Sequence, residues 1–290
     1  MIMTFLYLFA CSAKNTPSTD TADTAMIDLG CNGMPELCEQ PFNTVAFVGT
    51  HNSMSNAEDG WLAPNQGWNI RHQLDAGVRA LNLDTYEIDG TVMLCHGFCE
   101  LGEQPLEEAL SEVRDFLDSQ PDNVILITFQ DAASAELTLG AFEAAGIRDW
   151  LHEQAIDSPW PTLQSLIDTN KRLVVFAAQY GSSDYPGYHS QWDYWIDTPY
   201  QAQDTSDFSC EADRGNTDTA SLLNVNHFIT NPIALPEHAE AANTAAVLNE
   251  HIERCLLERE RPMTQILVDF VDIGDVIDVI DSLNTRQFEQ

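Results

Sequence analysis

Residues 73–96 read QLDAGVRALNLDTYEIDGTVMLCH, and this stretch decides the fold class. A helical pattern over 70–76 leads into an apolar run at Ala80–Tyr86, and a second short run follows at Val92–Cys95. Runs that are apolar along most of their length are typical of strands buried on both faces of a parallel sheet. The stretch therefore predicts a helix followed by strands of an α/β fold.

The same alternation extends in both directions. Eight segments have the composition of short strands: Val45–Val48, Ala80–Tyr86, Val92–Cys95, Val124–Phe129, Leu173–Ala177, Tyr194–Ile196, Leu222–Phe228 and Gln265–Val271. Helical patterns lie between most of them: Ile70–Ala76, Pro105–Ser119, Ala135–Ala145, Thr162–Asp168, Ala239–Glu258 and Gly274–Leu283. Eight strands that alternate with helices predict one distorted (β/α)8 barrel of the TIM type over residues 29–290, a usual size for that fold.

The first residues indicate export. Residues 1–10, MIMTFLYLFA, form an apolar stretch that is too short to span a bilayer but suits a secretion signal. Cys11 completes a Leu-x-Ala-Cys pattern, which resembles the lipobox of bacterial lipoproteins, where the cysteine is lipidated. We expect a signal peptide with lipobox over 1–11 and a flexible polar tether over 12–28. The chain is then a membrane-anchored lipoprotein of the bacterial cell envelope. Because no Lys or Arg precedes the apolar stretch, simple secretion is the alternative.

The remaining six cysteines also agree with export, since an even number in an exported chain indicates disulfides. Sequence proximity favours the pairs Cys31–Cys38, Cys95–Cys99 and Cys210–Cys255. A zinc site formed by Cys95, His96 and Cys99 is the alternative, although their spacing matches no common zinc motif.

Charge limits the partners. The chain has 46 acidic residues against 12 Lys and Arg, a net charge of −34. Nucleic acid is not expected as a partner, because few cations are present to neutralise a run of phosphates. We interpret the acid excess as a solvated surface, with binding of a divalent cation as a minor alternative. A monomer is expected.

Polar residues follow several predicted strands. His51, His96 and the dipeptide Gln130-Asp131 come at strand ends, while Asp84 and Asp269 lie inside the ends of their runs. Reactive groups of α/β barrels sit at the carboxyl ends of the strands, so these residues are expected to meet at one face.

Three motifs occur in order within residues 31–131: Thr50-His51-Asn52, the pattern LxLDxY over 81–86, and LCHG over 94–97. In this order and spacing they resemble the catalytic X region of phosphatidylinositol-specific phospholipase C, especially the secreted PLC-like phosphodiesterases. The resemblance continues through Asn65-Gln66, VILITFQD (124–131), KRLVVF (171–176), CEADRGN (210–216), HFITNP (227–232) and ILVDFVDIGD (266–275). It implies a phosphoric diester hydrolase on a TIM-type barrel.

The resemblance also implies roles. His51 is expected to be the general base and His96 the general acid, and an internal hydroxyl of the substrate attacks phosphorus to give a cyclic phosphate. Metal-dependent members of the family bind Ca²⁺, which here implies the ligand set Asn52, Asn82, Asp84 and Gln130. Metal-independent members have an arginine where this chain has Asp84.

Two departures weaken the expected metal site. Asn82 and Gln130 stand where metal-dependent members usually have Glu, so the set carries one negative charge and weak Ca²⁺ binding is expected. Three further residues are candidates for substrate contact or for support of the site: Arg79, Asp131 and Asp269. Each of Arg79 and Asp269 has an equally acceptable structural interpretation.

The expected substrate is a phospholipid or another phosphodiester. The scarcity of Lys and Arg argues against a polyphosphorylated headgroup. Two alternatives remain: a glycerophosphodiester phosphodiesterase or phospholipase D-like enzyme on the same barrel, and a surface barrel that binds a ligand without catalysis.

Overall fold

Eight parallel strands form a curled sheet that makes up an incompletely closed barrel. The computed structural model describes residues 30–288. Its strands are β1 (Phe47–Thr50), β2 (Ala80–Ile88), β3 (Thr91–Cys95), β4 (Glu103–Pro105), β5 (Ile125–Asp131), β6 (Leu173–Ala177), β7 (His189–Ser190), β8 (Trp195–Asp197), β9 (Arg214–Gly215), β10 (Leu222–Asn226) and β11 (Gln265–Val268). The parallel strands follow the order β7-β6-β5-β2-β1-β11-β10-β8. Among the described residues, β7 and β8 do not pair with each other, and this is the open side.

Helices cover the outside of the sheet. They are α1 (Ile70–Ala76), α2 (Leu106–Ser119), α3 (Ala135–Ala144), α4 (Leu163–Asp168), α5 (Gln191–Tyr194), α6 (Pro236–Ala242), α7 (Ala245–Arg259) and α8 (Val276–Phe288). The sequence explains the end of α1, because Gly77 adopts φ 119° and forms the left-handed C-cap that turns the chain into β2. The predicted TIM-type barrel is confirmed.

One predicted barrel strand has a different role. Val92–Cys95 was expected as a parallel strand, but β3 pairs antiparallel with the far end of β2 and continues into β4. The turn Asp89-Gly90, with φ 52° and 79°, allows this hairpin. The eighth parallel strand is instead β7, whose two residues are too short for a sequence signal.

The predicted helix over 239–258 is also two helices. Asn243 and Thr244 interrupt it, and the Thr244 side chain accepts a hydrogen bond from the Val247 N–H to start α7. Asn243 is buried and faces the barrel end. Predicted β5 and β6 are confirmed as strands buried on both faces, since 124–129 and 173–177 are buried throughout.

All three disulfides expected from proximity are present: Cys31–Cys38, Cys95–Cys99 and Cys210–Cys255. The zinc alternative at Cys95 and Cys99 therefore fails, because a sulfur bonded in a disulfide is not a thiolate ligand. The expectations for 1–11, 12–28 and Cys11 lie outside the described residues. Within 30–288, no helix combines the length and apolar character needed to cross a bilayer.

Candidate active site

His51 lies just beyond the carboxyl end of β1. Its backbone N–H donates to the Val268 carbonyl at 2.9 Å, so the pairing of β1 with β11 extends to the histidine itself. Its ring stacks on Phe228, with centroids 3.8 Å apart and planes inclined by 8°. The backbone and one ring face of His51 are thus held by the barrel.

Asp269 orients this imidazole. The His51 Nδ1 lies 2.9 Å from Asp269 Oδ1. Because an ionised carboxylate only accepts hydrogen bonds, the contact places a proton on Nδ1 and leaves Nε2 of the neutral ring with its lone pair. A buried carboxylate behind an imidazole is the arrangement of an oriented general base.

Amide side chains hold the pair in place. Asn65 Nδ2 donates to Asp269 Oδ1 at 2.9 Å, and Asn243 Nδ2 donates to the Asp269 backbone oxygen at 2.9 Å. Gln66 Nε2 donates to the carbonyls of His51 (2.8 Å) and Val268 (2.9 Å). The three amides therefore fix both the carboxylate and the backbone that carries it.

His96 reaches the same rim through the hairpin. The antiparallel register pairs Thr85 with Leu94, so the chain after β3 returns toward the carboxyl end of the barrel. The His96 and His51 rings have centroids 6.5 Å apart and planes inclined by 74°. Partial desolvation, followed by the charge of His51, lowers the pKa of His96, and Asp269 opposes the shift.

Asn52 lies between the two histidines. Its Nδ2 is 3.1 Å from His51 Nε2 and 3.2 Å from His96 Nε2. The residue is buried and adopts φ 47°, a left-handed conformation that asparagine tolerates better than most residues. One amide thus contacts both of the ring nitrogens that acid–base chemistry requires.

Asp84, from the LxLDxY motif, is a buried carboxylate that lines the same cavity as His51, Asn52 and His96. It is 4% exposed, and none of the described residues donates a hydrogen bond to it. Desolvation raises its pKa to about 7, although the charge of His51 acts in the opposite direction. A buried carboxylate without a donor is stabilised either by a proton or by a cation.

The other expected metal ligands divide into two groups. Gln130 stands opposite Asp84 in the register of β2 and β5, and both line one cavity together with Asn52. Asn82 is engaged below them: its Nδ2 donates to Thr128 Oγ1 at 3.2 Å, and its Oδ1 accepts from the Asn52 N–H at 3.4 Å. The donor set at the cavity therefore has one carboxylate and two amides, which fits a weakly held oxygen-seeking cation.

Two cavities meet at the histidine pair. The polar cavity has a volume of about 480 Å³. Beside the histidine pair, its wall includes Asn52, Asp84, Tyr86, Gln130, Tyr200, Gln201, Gln203 and Phe228. The apolar cavity, of about 370 Å³, is lined chiefly by Trp61, Leu62, Ala63, Phe98, Leu101, Pro232, Ile233 and Ala234. His51, His96, Gly97 and Thr230 line both cavities. The imidazoles of His51 and His96 thus lie between a polar compartment and an apolar one.

The family model PI-PLC X 1 matches residues 37–284. The chain belongs to the PI-PLC X family. A PI-PLC X domain-containing protein of Arthroderma benhamiae is 31% identical over 276 residues, covering 89% of this chain and 90% of the relative. A PI-PLC X domain-containing protein of Arabidopsis thaliana is 28% identical over 302 residues, covering 88% and 70%.

Solved structures support the fold of this PI-PLC X chain. The phosphatidylinositol-specific phospholipase C of Listeria monocytogenes has a TM-score of 0.59 and 16% identity, covering 84% of this chain and 94% of its own. A variant of the enzyme from Staphylococcus aureus has a TM-score of 0.61 and 15% identity, covering 87% and 95%. At these identities the likeness shows the shared barrel alone.

Two expected site residues lie elsewhere in the PI-PLC X barrel. Arg79 is at the opposite end of β2, where its guanidinium donates to the carbonyls of Leu74 and Val78 and to Asn123, and burial lowers its pKa to about 10. Asp131 points away from the cavity and accepts from the backbone N–H groups of Gln179 (2.7 Å) and Tyr180 (2.8 Å). Both are structural residues, and neither lines the two cavities.

Several residues of the site have contacts that their local sequence does not indicate. Asn65 and Gln66 belong to the motifs that resemble the family, but only their position in the fold shows that they support Asp269 and His51. Phe228 and Asn243 carry no local signal, because their partners lie far away in the chain. The interruption of the helical pattern at Asn243-Thr244 was the one available clue.

Proposed function

We propose that this PI-PLC X chain is a phosphodiesterase of the phospholipase C type, with His51 as general base and His96 as general acid. The observation that carries the proposal is the convergence of both Nε2 atoms on Asn52, with Asp269 behind only one of the rings. This asymmetry favours His51 as the base, because the carboxylate stabilises the imidazolium that forms when the base takes a proton.

The chemical steps follow from this assignment. A headgroup hydroxyl next to the phosphate gives its proton to His51 Nε2 while its oxygen bonds to phosphorus. The bond from phosphorus to the alcohol oxygen of the leaving group breaks, and that oxygen takes a proton from His96. The products are a cyclic phosphodiester and a free alcohol. In the reverse sense, a water molecule can open the cyclic product with the two histidines exchanging roles.

The two cavities support a lipid phosphodiester as substrate. Among residues 30–288, no Lys or Arg lines either cavity, so the polar cavity suits a headgroup that bears hydroxyls rather than additional phosphates. The apolar cavity is continuous with the histidine pair and suits the hydrocarbon of the leaving alcohol. Exposed Leu62 and Phe98, at 62% and 72%, extend this apolar surface outward.

Asp84, Asn52 and Gln130 are proposed to hold a weakly bound Ca²⁺. Such an ion would supply positive charge to the phosphate, and no Lys or Arg among the described lining residues does so. The ion must displace the proton that burial favours on Asp84.

Export is part of the proposal. A relative from Arthroderma benhamiae, 28% identical over 276 residues and covered over 60% of its length, is named an uncharacterized secreted protein. Three disulfides agree with an oxidising compartment. Lipidation at Cys11 and anchoring to a membrane remain proposals from the sequence pattern.

The test is a headgroup panel followed by ³¹P NMR. Phosphatidylinositol, phosphatidylcholine and glycerophosphoinositol in detergent micelles are incubated with the protein, with and without a calcium chelator. A cyclic inositol phosphate from phosphatidylinositol is expected, and both His51→Ala and His96→Ala lower the rate by at least about 10²-fold. His72→Ala, a change at an exposed histidine outside both cavities, serves as control.

The products separate this proposal from its rivals. Free choline from phosphatidylcholine, or glycerol phosphate from glycerophosphoinositol, indicates phospholipase D-like or glycerophosphodiester chemistry instead. Hydrolysis that is absent from the whole panel, or that is unchanged in both histidine variants, contradicts catalysis by this pair.

A further inference from the structure

The Cys95–Cys99 disulfide closes a five-residue loop that contains His96. Cys95 is the last residue of β3 and is fully buried, while Cys99 begins the turn that leads to β4. The two Cα atoms are 4.9 Å apart. Between them, His96, Gly97 and Phe98 are all exposed at the rim. The proposed general acid thus lies at the tip of a covalently closed loop.

The two histidines differ in how the fold holds them. His51 continues the pairing of two barrel strands, stacks on Phe228 and bonds to Asp269. His96 is held by a hydrogen bond to Asn52 and an edge contact with the His51 ring, and it follows a hairpin that lies outside the parallel barrel. A side chain on an exposed loop loses catalytic geometry unless something restricts its backbone.

Hydrogen bonds also restrain this loop, including one between the Tyr86 side chain and the Gly97 backbone. The Phe98 N–H donates to the His96 carbonyl at 2.8 Å, which tightens the turn at Gly97, where φ is 71°. Beyond Cys99, the Leu101 carbonyl accepts from the Leu62 N–H at 2.7 Å and joins the loop to the wall of the apolar cavity. The disulfide is therefore the strongest restraint between the buried strand and the exposed acid.

We propose that Cys95 and Cys99 are positioning residues of the catalytic site: their disulfide holds His96 opposite His51 and sets Phe98 in the wall of the apolar cavity. This inference rests on the proposed function, since it concerns the same acid. It makes turnover depend on the oxidised state of one particular disulfide. The other two lie away from the histidine pair: Cys31–Cys38 is near the start of β5, where Asn32 binds Val124, and Cys210–Cys255 ties α7 to a loop.

The test compares two double variants of the full chain, Cys95→Ala/Cys99→Ala and Cys31→Ala/Cys38→Ala, in kcat, KM and pH profile. We expect kcat of the first to fall about tenfold to a hundredfold, since small misplacement of a reacting group has effects of that size. Its descending pH limb is expected to move, because the surroundings of His96 change. The second is expected to keep the wild-type kcat and pH profile even if its melting temperature falls. A merely structural role moves melting temperatures and leaves the pH limb in place.

A second measurement covers poor folding of the first variant. Wild type is treated with a phosphine reductant under native conditions, the reduced cysteines are mapped by alkylation, and circular dichroism verifies the fold. Loss of turnover that follows reduction of Cys95–Cys99 supports the proposal.

The proposal is overturned if the Cys95→Ala/Cys99→Ala variant, or the protein reduced at this disulfide, keeps the wild-type kcat and the wild-type descending limb of the pH profile. Wild type and His96→Ala are assayed in parallel. If wild type is inactive, the proposed function fails and this inference with it; if wild type is active and the disulfide has no effect, only this inference fails.

Discussion

His51 Nδ1 lies 2.9 Å from Asp269 Oδ1, although 218 positions separate the two residues in the chain. β1 and β11 are neighbours in the sheet, so the first and last barrel strands bring the pair together. The first prediction follows from this contact. Asp269→Asn is expected to lower kcat by about 10²- to 10⁴-fold, because an amide donor at this position drives the imidazole proton onto Nε2.

The control for this change is Asp272→Asn. Asp272 lies three residues on and accepts from the Gly67 N–H at 3.2 Å without touching either histidine. Steady-state kinetics on phosphatidylinositol micelles measure both variants. Equal rates for Asp269→Asn and wild type would show that the carboxylate does not orient the base.

The second prediction concerns pH. In kcat/KM, the descending limb reports the free enzyme's acid, which we assign to His96. Since desolvation and the charge of His51 lower the pKa of His96, this limb is expected below the ordinary histidine value of about 6.5. The measurement is a kcat/KM profile from pH 4.5 to 8.5 in the presence of the chelator. A limb well above pH 7 contradicts the assignment of the acid.

The third prediction links calcium to pH. Burial raises the pKa of Asp84 to about 7, so a proton competes with the cation for this carboxylate. The affinity for Ca²⁺ is expected to rise about tenfold per pH unit below 7 and to level off above it. Isothermal titration from pH 5.5 to 8.5 measures this dependence.

Asp84→Asn is expected to abolish the heat of binding. Asp89→Asn, a change at the exposed tip of the β2–β3 hairpin, is the matched control. Binding that does not vary with pH would place the cation at other residues.

The fourth prediction separates lipid from soluble substrates. Ile233→Ser places a hydroxyl in the wall of the apolar cavity, where Ile233 is 47% exposed. We expect kcat/KM on a long-chain lipid phosphodiester to fall about tenfold, and that on glycerophosphoinositol to change less than twofold, because only the first buries hydrocarbon there. Leu257→Ser, at a 78% exposed position of α7, is the control. Parallel losses on both substrates would exclude the cavity as a hydrocarbon site.

The fifth prediction concerns stability. His227 and His251 are buried with Nδ1 atoms 2.9 Å apart, and burial lowers their pKa values to about 4 and about 3. Both pKa values lie below the value of about 6.5 for a histidine in the unfolded chain. At a pH between the folded and unfolded pKa values, the unfolded state therefore binds more protons than the folded state. The contribution of this histidine pair to the free energy of unfolding is complete above about pH 6.5 and is lost as the pH falls toward the folded pKa values.

The loss is on the order of 3 kcal/mol for each of the two histidines between pH 6.5 and 4. His227→Leu/His251→Phe is expected to flatten this part of the pH dependence of the free energy of unfolding, measured by urea denaturation. An unchanged slope would show that other groups cause the acid sensitivity.

The main architecture of the barrel could be predicted from the sequence for a physical reason. Strands buried on both faces have a continuous apolar pattern, and β5 and β6 were readable on that basis alone. The direction of β3 was not readable, since a short apolar run has the same composition in parallel and antiparallel pairs. β7 could not be predicted, because its two residues are too few to show an alternating pattern.

The clustering of the candidate site residues was predictable where they belong to a local motif. His51, His96 and Asp84 belong to such motifs, whereas the faces of Gln130 and Asp131 depend on strand register: adjacent residues point to opposite sides, so at most one of them reaches the cavity. The place of Asn52 between two imidazoles depends on its left-handed backbone. That conformation has no sequence signature beyond the residue type.

In the hairpin that carries His96, insertions or deletions of an odd and of an even number of residues have different consequences. Side chains alternate faces along β3, so loss or gain of a single residue between Gly90 and Cys95 turns the acid away from the base. Changes by two residues, matched on both arms, keep the face and alter only how far the tip extends. Lengthening the tip in such pairs therefore leaves the proposed acid on the same face as before.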